Sequence, residues 1–151
     1  MKTPLVVKNT ISIQAPPAEV WDALVNPAKT KQYMFGCETV SDWKVGSQLL
    51  WTGVFDGQEL IAVKGEILEI QPGKRLVYTT IDPNSTIDDV SENYLRVTYD
   101  LKPENGHTVL HVEQGDYATV AEGERRYQEA FNGGEGWNPI LVEIKKLVEA
   151  Q

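Results

Sequence analysis

The chain has 151 residues, of which 41% are hydrophobic and 24% charged, enough for one domain that buries roughly 68–70% of the surface its unfolded chain exposes. Its formal net charge of −8, from 14 basic and 22 acidic residues, argues against a nucleic-acid or anionic-membrane partner, since both need clustered lysine and arginine. No run of about 20 apolar residues could span a bilayer. The pairs Lys74-Arg75, Arg125-Arg126 and Lys145-Lys146 read as solvated edges. Met1-Lys2-Thr3-Pro4 lacks the apolar stretch of a secretory signal. Cys37, the single cysteine, cannot close an internal disulfide and reads as a buried, inert thiol. A cytoplasmic protein is expected.

Leu5–Gln14 contains the alternation Ile11-Ser12-Ile13-Gln14, which predicts a strand with one polar face. Ala15-Pro16-Pro17 then opens a short helix with Val20, Trp21 and Leu24 on its apolar face, since proline is tolerated in a first turn. Asn26-Pro27 stops it, and a second short helix runs through Lys29 and Gln32. Strands follow over Gln48–Phe55 and Leu60–Ile70, turned at Asp56-Gly57; over Leu76–Ile81, after Pro72-Gly73; and over Tyr94–Leu101 and Thr108–Tyr117, flanking Asn105-Gly106. Tight turns between successive strands make the sheet antiparallel. The connection Asp82–Asn93 reads as a mobile loop at one end of it, with Asp88, Asp89 and Glu92 solvated.

Period-two alternation points Leu110 and Val112 inward and His111 and Glu113 outward; it also groups Leu95, Val97, Tyr99 and Leu101 on one face, with Leu76 and Tyr78 on another inward face. At the C-terminal end Tyr127, Phe131, Gly134, Trp137, Leu141, Ile144 and Val148 recur at steps of three and four, which predicts one long amphipathic helix with Phe131 and Gly134 facing the sheet. Gly133, Gly134 and Gly136 each cost that helix about 1 kcal/mol relative to alanine. Such a cost points to a kink or a close approach by another group. One helix laid across an antiparallel sheet is an α+β arrangement that leaves room for a cavity between the layers.

Catalytic and metal signatures are absent from the sequence. His107 and His111, on one strand, would be about 13 Å apart at roughly 3.4 Å per residue, too far to share a metal. Neither a nucleophile elbow nor a phosphate loop occurs. Glu69, Glu135 and several tyrosines are the ionisable groups that could enter a cavity.

Four segments in series carry a resemblance: Ile11-x-Ile13-x-Ala15-Pro16-x-Ala18-x-Val20-Trp21-x-Ala23-Leu24, Asp42-Trp43-Lys44-Val45-Gly46-Ser47, Gly65-x-Ile67-x-x-Ile70-x-Pro72-x-x-Leu76-x-Tyr78, and Gly136-Trp137. Together they resemble the START-like (SRPBCC, birch-pollen-allergen-like) superfamily, in the branch named after the activator of the ninety-kilodalton heat-shock chaperone's ATPase. The resemblance implies one domain over residues 1–151 with the helix-grip fold: a curved antiparallel sheet around a long C-terminal helix, with two short helices after the first strand. It also implies an apolar cavity for a hydrophobic or aromatic small molecule such as a lipid or polyketide. Placed on that fold, Trp51, Tyr78, Tyr99, Val112, Tyr127, Phe131, Gly134, Trp137 and Leu141 are the expected lining. Neither cofactor nor metal is expected, and a monomer or weak dimer is. Two alternatives stay open: a small cyclase or hydrolase using a cavity tyrosine and a carboxylate, and an interaction module contacting a chaperone. Chaperone activation in eukaryotic members involves a further N-terminal domain; with the first strand expected at Leu5–Gln14, no such domain is expected ahead of it, and stimulation of the chaperone's ATPase is not expected.

Overall fold

The computed structural model describes residues 3–150; Met1, Lys2 and Gln151, and with them part of the N-terminal segment and of the 1–151 span, lie outside the described residues. The strands are β1 (Val7–Ile13), β2 (Glu38–Ser41), β3 (Gln48–Phe55), β4 (Gln58–Gln71), β5 (Arg75–Thr80), β6 (Leu95–Glu104) and β7 (His107–Gly115). They form one seven-stranded sheet in the order β1-β7-β6-β5-β4-β3-β2, with every pairing antiparallel. Asp56-Gly57 and Asn105-Gly106 each close a two-residue hairpin, joining Phe55 to Gln58 and Glu104 to His107. All four turn residues have positive φ, the conformation that matches the strand twist and that Asn-Gly and Asp-Gly accept most readily.

The sheet curls because β4 changes partner along its 14 residues. Gln58–Glu66 pair with β3 and Ile67–Gln71 with β5, with register shifts at Trp51/Thr52 and Ile67/Glu69. Where the partners change, a Cβ on Gly65 would stand 1.6 Å from the Thr79 carbonyl oxygen, so only glycine lets the two backbones cross so closely. Inside the curl pack α1 (Pro17–Val25), α2 (Pro27–Tyr33) and α4 (Asn138–Glu149). Asn26 ends one helix and caps the next, its side chain accepting the Ala28 N–H at 3.0 Å, with Pro27 in the first turn where no amide is missed. Leu141, Ile144 and Val148 of α4 are buried in one core with Ile13, Val20, Leu24 and Leu110. This is the α+β helix-grip architecture.

The predicted continuous C-terminal helix is divided. Helix α3 (Gly123–Phe131) ends in a 3-10 turn at Asn132–Gly134, and α4 begins at Asn138. Asn132, Gly133, Gly134 and Gly136 have φ of 49°, 65°, 104° and 50°, and such left-handed residues cannot continue a right-handed helix. Gly134 consequently does not face the sheet: it is exposed, with no atom within 4 Å of an ideal Cβ. Phe131 is 39% exposed. Gly136 is the glycine with a close neighbour, since a Cβ there would stand 2.4 Å from Asn9 Oδ1. Asn9, on β1, accepts the Trp137 N–H at 2.8 Å and donates to the Glu135 carbonyl at 3.1 Å. The first strand thereby fixes where α4 starts.

Two further differences concern the edges. Sequence reading passed over β2, a four-residue strand with only Thr39 pointing into the core, too short to show alternation. The Asp82–Asn93 connection, expected as a mobile loop, is held at Asp89, which pairs with Lys64 and accepts the Tyr94 hydroxyl proton at 2.5 Å. The face assignments hold: Leu76, Tyr78, Leu95, Val97, Tyr99, Leu101, Leu110 and Val112 are all buried, while His111 lies half-exposed between Thr10 and Glu113.

Candidate functional site

A cavity of about 500 Å³ lies between the sheet and the broken C-terminal helix. Its floor is a row across three adjacent strands, because Tyr78 on β5 stands opposite Val97 on β6, and Val97 opposite Gln114 on β7. Thr80 follows Tyr78 by two residues and shares its face. Trp51, Phe55, Ala62 and Val63 of β3 and β4 make one wall, and Trp137, just before α4, with Ile140 of α4 the other. Phe35, 75% exposed and with φ of 53°, stands at the mouth with Glu129 and Asn132.

An aromatic chain runs beneath and around this space. Trp51 and Tyr78 have ring centroids 6.5 Å apart, Tyr78 and Tyr99 5.6 Å at 68°, and Tyr99 and Trp137 5.9 Å at 80°, the last two being favourable edge-to-face contacts. The Tyr78 and Tyr99 hydroxyls hydrogen-bond each other at 2.8 Å, and Trp137 donates its indole N–H to Gln114 Oε1 at 2.9 Å. Burial pushes the phenols of Tyr33, Tyr78 and Tyr99 well above their ordinary range, so they stay protonated. Burial also raises the Cys37 thiol, which sits on the cavity wall. Glu129 at the rim is paired with Arg125 at 2.9 Å. Among the described residues no lysine, arginine or histidine lines the cavity, and no group of three or more potential ligands is placed to hold a metal.

Of the residues expected to form the lining, Trp51, Tyr78 and Trp137 border the cavity. Tyr99, Val112 and Leu141 are buried but do not border it, being part of the surrounding core. Tyr127 and Phe131 stack on each other at 5.5 Å and continue to Tyr117 at 5.7 Å, which is buried in the core; none of the three borders the cavity. Gly134 faces solvent. Glu69 and Glu135, the carboxylates that could have entered the cavity, do not: Glu69 pairs with Arg75 at 3.3 Å and Glu135 is exposed. Sequence reasoning missed Met34, Phe35, Cys37, Phe55, Ala62, Val63 and Ile140. Extending the period-two pattern from Leu110 and Val112 would have reached Gln114, and from Leu76 and Tyr78, Thr80. Nothing comparable flags Phe35, which lies in an irregular linker.

Comparison with known proteins places this geometry. The sequence pattern of the family described as Activator of Hsp90 ATPase homolog 1-like protein matches residues 14–149. Among curated proteins no sequence matches the chain. Among solved structures, a protein from Cytophaga hutchinsonii is 34% identical with a TM-score of 0.75, over 99% of this chain and 97% of its own. A protein from Mesorhizobium loti is 22% identical, with a TM-score of 0.72 over 97% and 98%. An Hsp90 activator from Plasmodium falciparum is 18% identical, with a TM-score of 0.66 over 96% of each chain. The last two likenesses speak to the fold. No described helix is long and apolar enough to cross a membrane. With the family pattern covering all but the two ends, this chain belongs to the Activator of Hsp90 ATPase homolog 1-like family.

Proposed function

We propose that this protein binds a hydrophobic or aromatic small molecule in the cavity between the sheet and the broken C-terminal helix. The observation that carries the reading is a cavity of about 500 Å³ walled by Trp51, Val63, Tyr78, Val97, Trp137 and Ile140, a size and lining suited to a drug-sized apolar ligand. Acid–base chemistry is less well supported, because the phenol on the floor is held in its neutral form and the carboxylate at the rim is engaged by Arg125. Titration with N-phenyl-1-naphthylamine, a neutral fluorescent probe, tests it. Binding at about micromolar Kd, roughly −8 kcal/mol, with altered emission from Trp51 and Trp137, supports the reading. A folded protein that leaves the probe and both tryptophans unchanged refutes it.

Contact with a chaperone is the second reading, favoured by the family's description and by the Plasmodium falciparum neighbour. An unchanged Hsp90 ATPase rate at equimolar protein would remove it.

A further inference from the structure

Two polar side chains on the cavity floor, Tyr78 and Gln114, bring hydrogen-bond donors to the space, and this bears on what the cavity is built to hold. The Tyr78 and Tyr99 hydroxyls together carry two protons but share one hydrogen bond, and neither has another partner among the described residues. One proton is therefore left over. If Tyr78 donated to Tyr99, the spare proton would be on Tyr99, which is 1% exposed and does not border the cavity, leaving a buried donor with no acceptor. If Tyr99 donates, the spare proton is on Tyr78, which does border the cavity. The second arrangement is the better one whenever an acceptor occupies the space.

Gln114 repeats the logic on the far side of Val97. Indole N–H can only donate, so the atom facing Trp137 must be the amide oxygen, as found. The Gln114 amide hydrogens are left without a protein partner among the described residues. Tyr78 and Gln114 are two strands apart, about 9–10 Å at roughly 4.8 Å per strand, with Val97 between them. Among the described residues no cation lines the cavity to meet an anion.

Resting on the proposed small-molecule function, we infer that the ligand is a neutral apolar compound bearing a carbonyl-type acceptor oxygen, and that the Tyr78 hydroxyl donates to that oxygen. Tyr99 positions the Tyr78 proton by donating to the Tyr78 oxygen, and the Gln114 amide is a second donor for a ligand long enough to reach it.

Displacement of N-phenyl-1-naphthylamine by 9-fluorenone and by fluorene separates this inference from the function on which it rests. The two competitors share a skeleton and differ by a carbonyl in place of a methylene, and transfer from water alone favours the hydrocarbon. We expect fluorenone to bind about tenfold more tightly than fluorene to the natural chain, fluorene-9-carboxylate to bind more weakly than either, Tyr78→Phe to abolish the fluorenone preference, and Tyr99→Phe, which removes the group that orients the Tyr78 proton, to weaken the preference without abolishing it. Equal binding of the two, or a preference for fluorene, with the naphthylamine still bound, overturns the inference and leaves the cavity function standing; so does a preference that survives Tyr78→Phe. Loss of all binding by the folded natural chain overturns the cavity function and the inference with it. Should Tyr78→Phe fail to fold, the carbonyl stretch of fluorenone bound to the natural chain reads the same bond: a shift to lower frequency than in hexane supports it, and an unshifted band overturns it.

Discussion

Gly136→Ala should destabilise the protein out of proportion to one methyl group. Gly136 has φ of 50°, where alanine costs about 1–2 kcal/mol of backbone strain. The new Cβ would stand 2.4 Å from Asn9 Oδ1 and 2.8 Å from Val7 Cγ1, so the Asn9 amide must move. Asn9 makes two bonds to the helix break, to the Trp137 N–H and the Glu135 carbonyl, each contributing about 0.5–1.5 kcal/mol net. Together these give about 2–5 kcal/mol, and a fall in Tm on the order of 10 °C for a chain of this length. Trp137 should lose its position as a cavity wall, weakening the naphthylamine probe. Gly134→Ala, strained in backbone but open on all sides, should leave probe affinity unchanged. In an Asn9→Ala background Gly136→Ala should cost less than in the natural chain, because the amide it displaces is already gone. A Gly136→Ala protein melting within 2 °C of the natural one, or costs that simply add, would refute the role given to Asn9.

Ala130→Trp, on the α3 wall of the cavity, should leave the fold intact and weaken the probe at least about tenfold by filling its space; fluorescence titration and a melting curve check both parts. Tyr33, Tyr78 and Tyr99 have phenols raised by burial, so their stabilisation is complete below the unfolded value near 10 and is lost as pH rises above it. With three such groups the loss is roughly 4 kcal/mol per pH unit above about 10, and their tyrosinate absorbance should appear only together with unfolding. The Asp89 carboxyl is lowered chiefly by its hydrogen bond with Lys64, so its contribution is present above the ordinary carboxylate range and lost as pH falls through the depressed value. Asp89→Ala should accordingly increase proteolytic cleavage within residues 82–93 at neutral pH. Cys37, 4% exposed with its thiol raised by burial, should react with a thiol reagent at least a hundredfold more slowly than free cysteine, and more slowly still with the probe bound.

The strands were legible because their signals are local. Asp56-Gly57 and Asn105-Gly106 dictate two-residue turns through their own backbone preferences, and alternation in Leu95–Leu101 and Leu110–Val112 assigns faces without any knowledge of neighbours. The helix break was only half legible. Periodicity carries the eye from Tyr127 to Val148, and an apolar stripe looks the same whether one helix bears it or two do. Composition announced the anomaly in three glycines within four residues, yet what each glycine does depends on partners distant in sequence. Gly136 meets Asn9, 127 positions earlier, whereas Gly134 meets nothing, and no local rule separates them.

The same contrast explains the cavity. Trp51, Tyr78 and Trp137 could be named because large aromatic residues on inward faces have few other places to go. Tyr99 and Leu141 carry equally good inward signals but sit in the filled part of the core, since the pattern gives a direction and not the distance to the next layer. Distance is set by the break: α3 and α4 do not continue one another, so Tyr127 and Phe131 pack with Tyr117 and do not border the cavity, while Trp137 is held against β7 by Gln114 and against β1 by Asn9. An uninterrupted helix would carry both groups on one stripe. Dividing it turns Tyr127 and Phe131 from the cavity toward the buried Tyr117 and keeps one tryptophan on the cavity wall, leaving Ala130 and Ile140 to border the space between. The glycines that make the helix intrinsically poor are thus the means by which a cavity, rather than a solid core, lies over the floor of Tyr78, Val97 and Gln114.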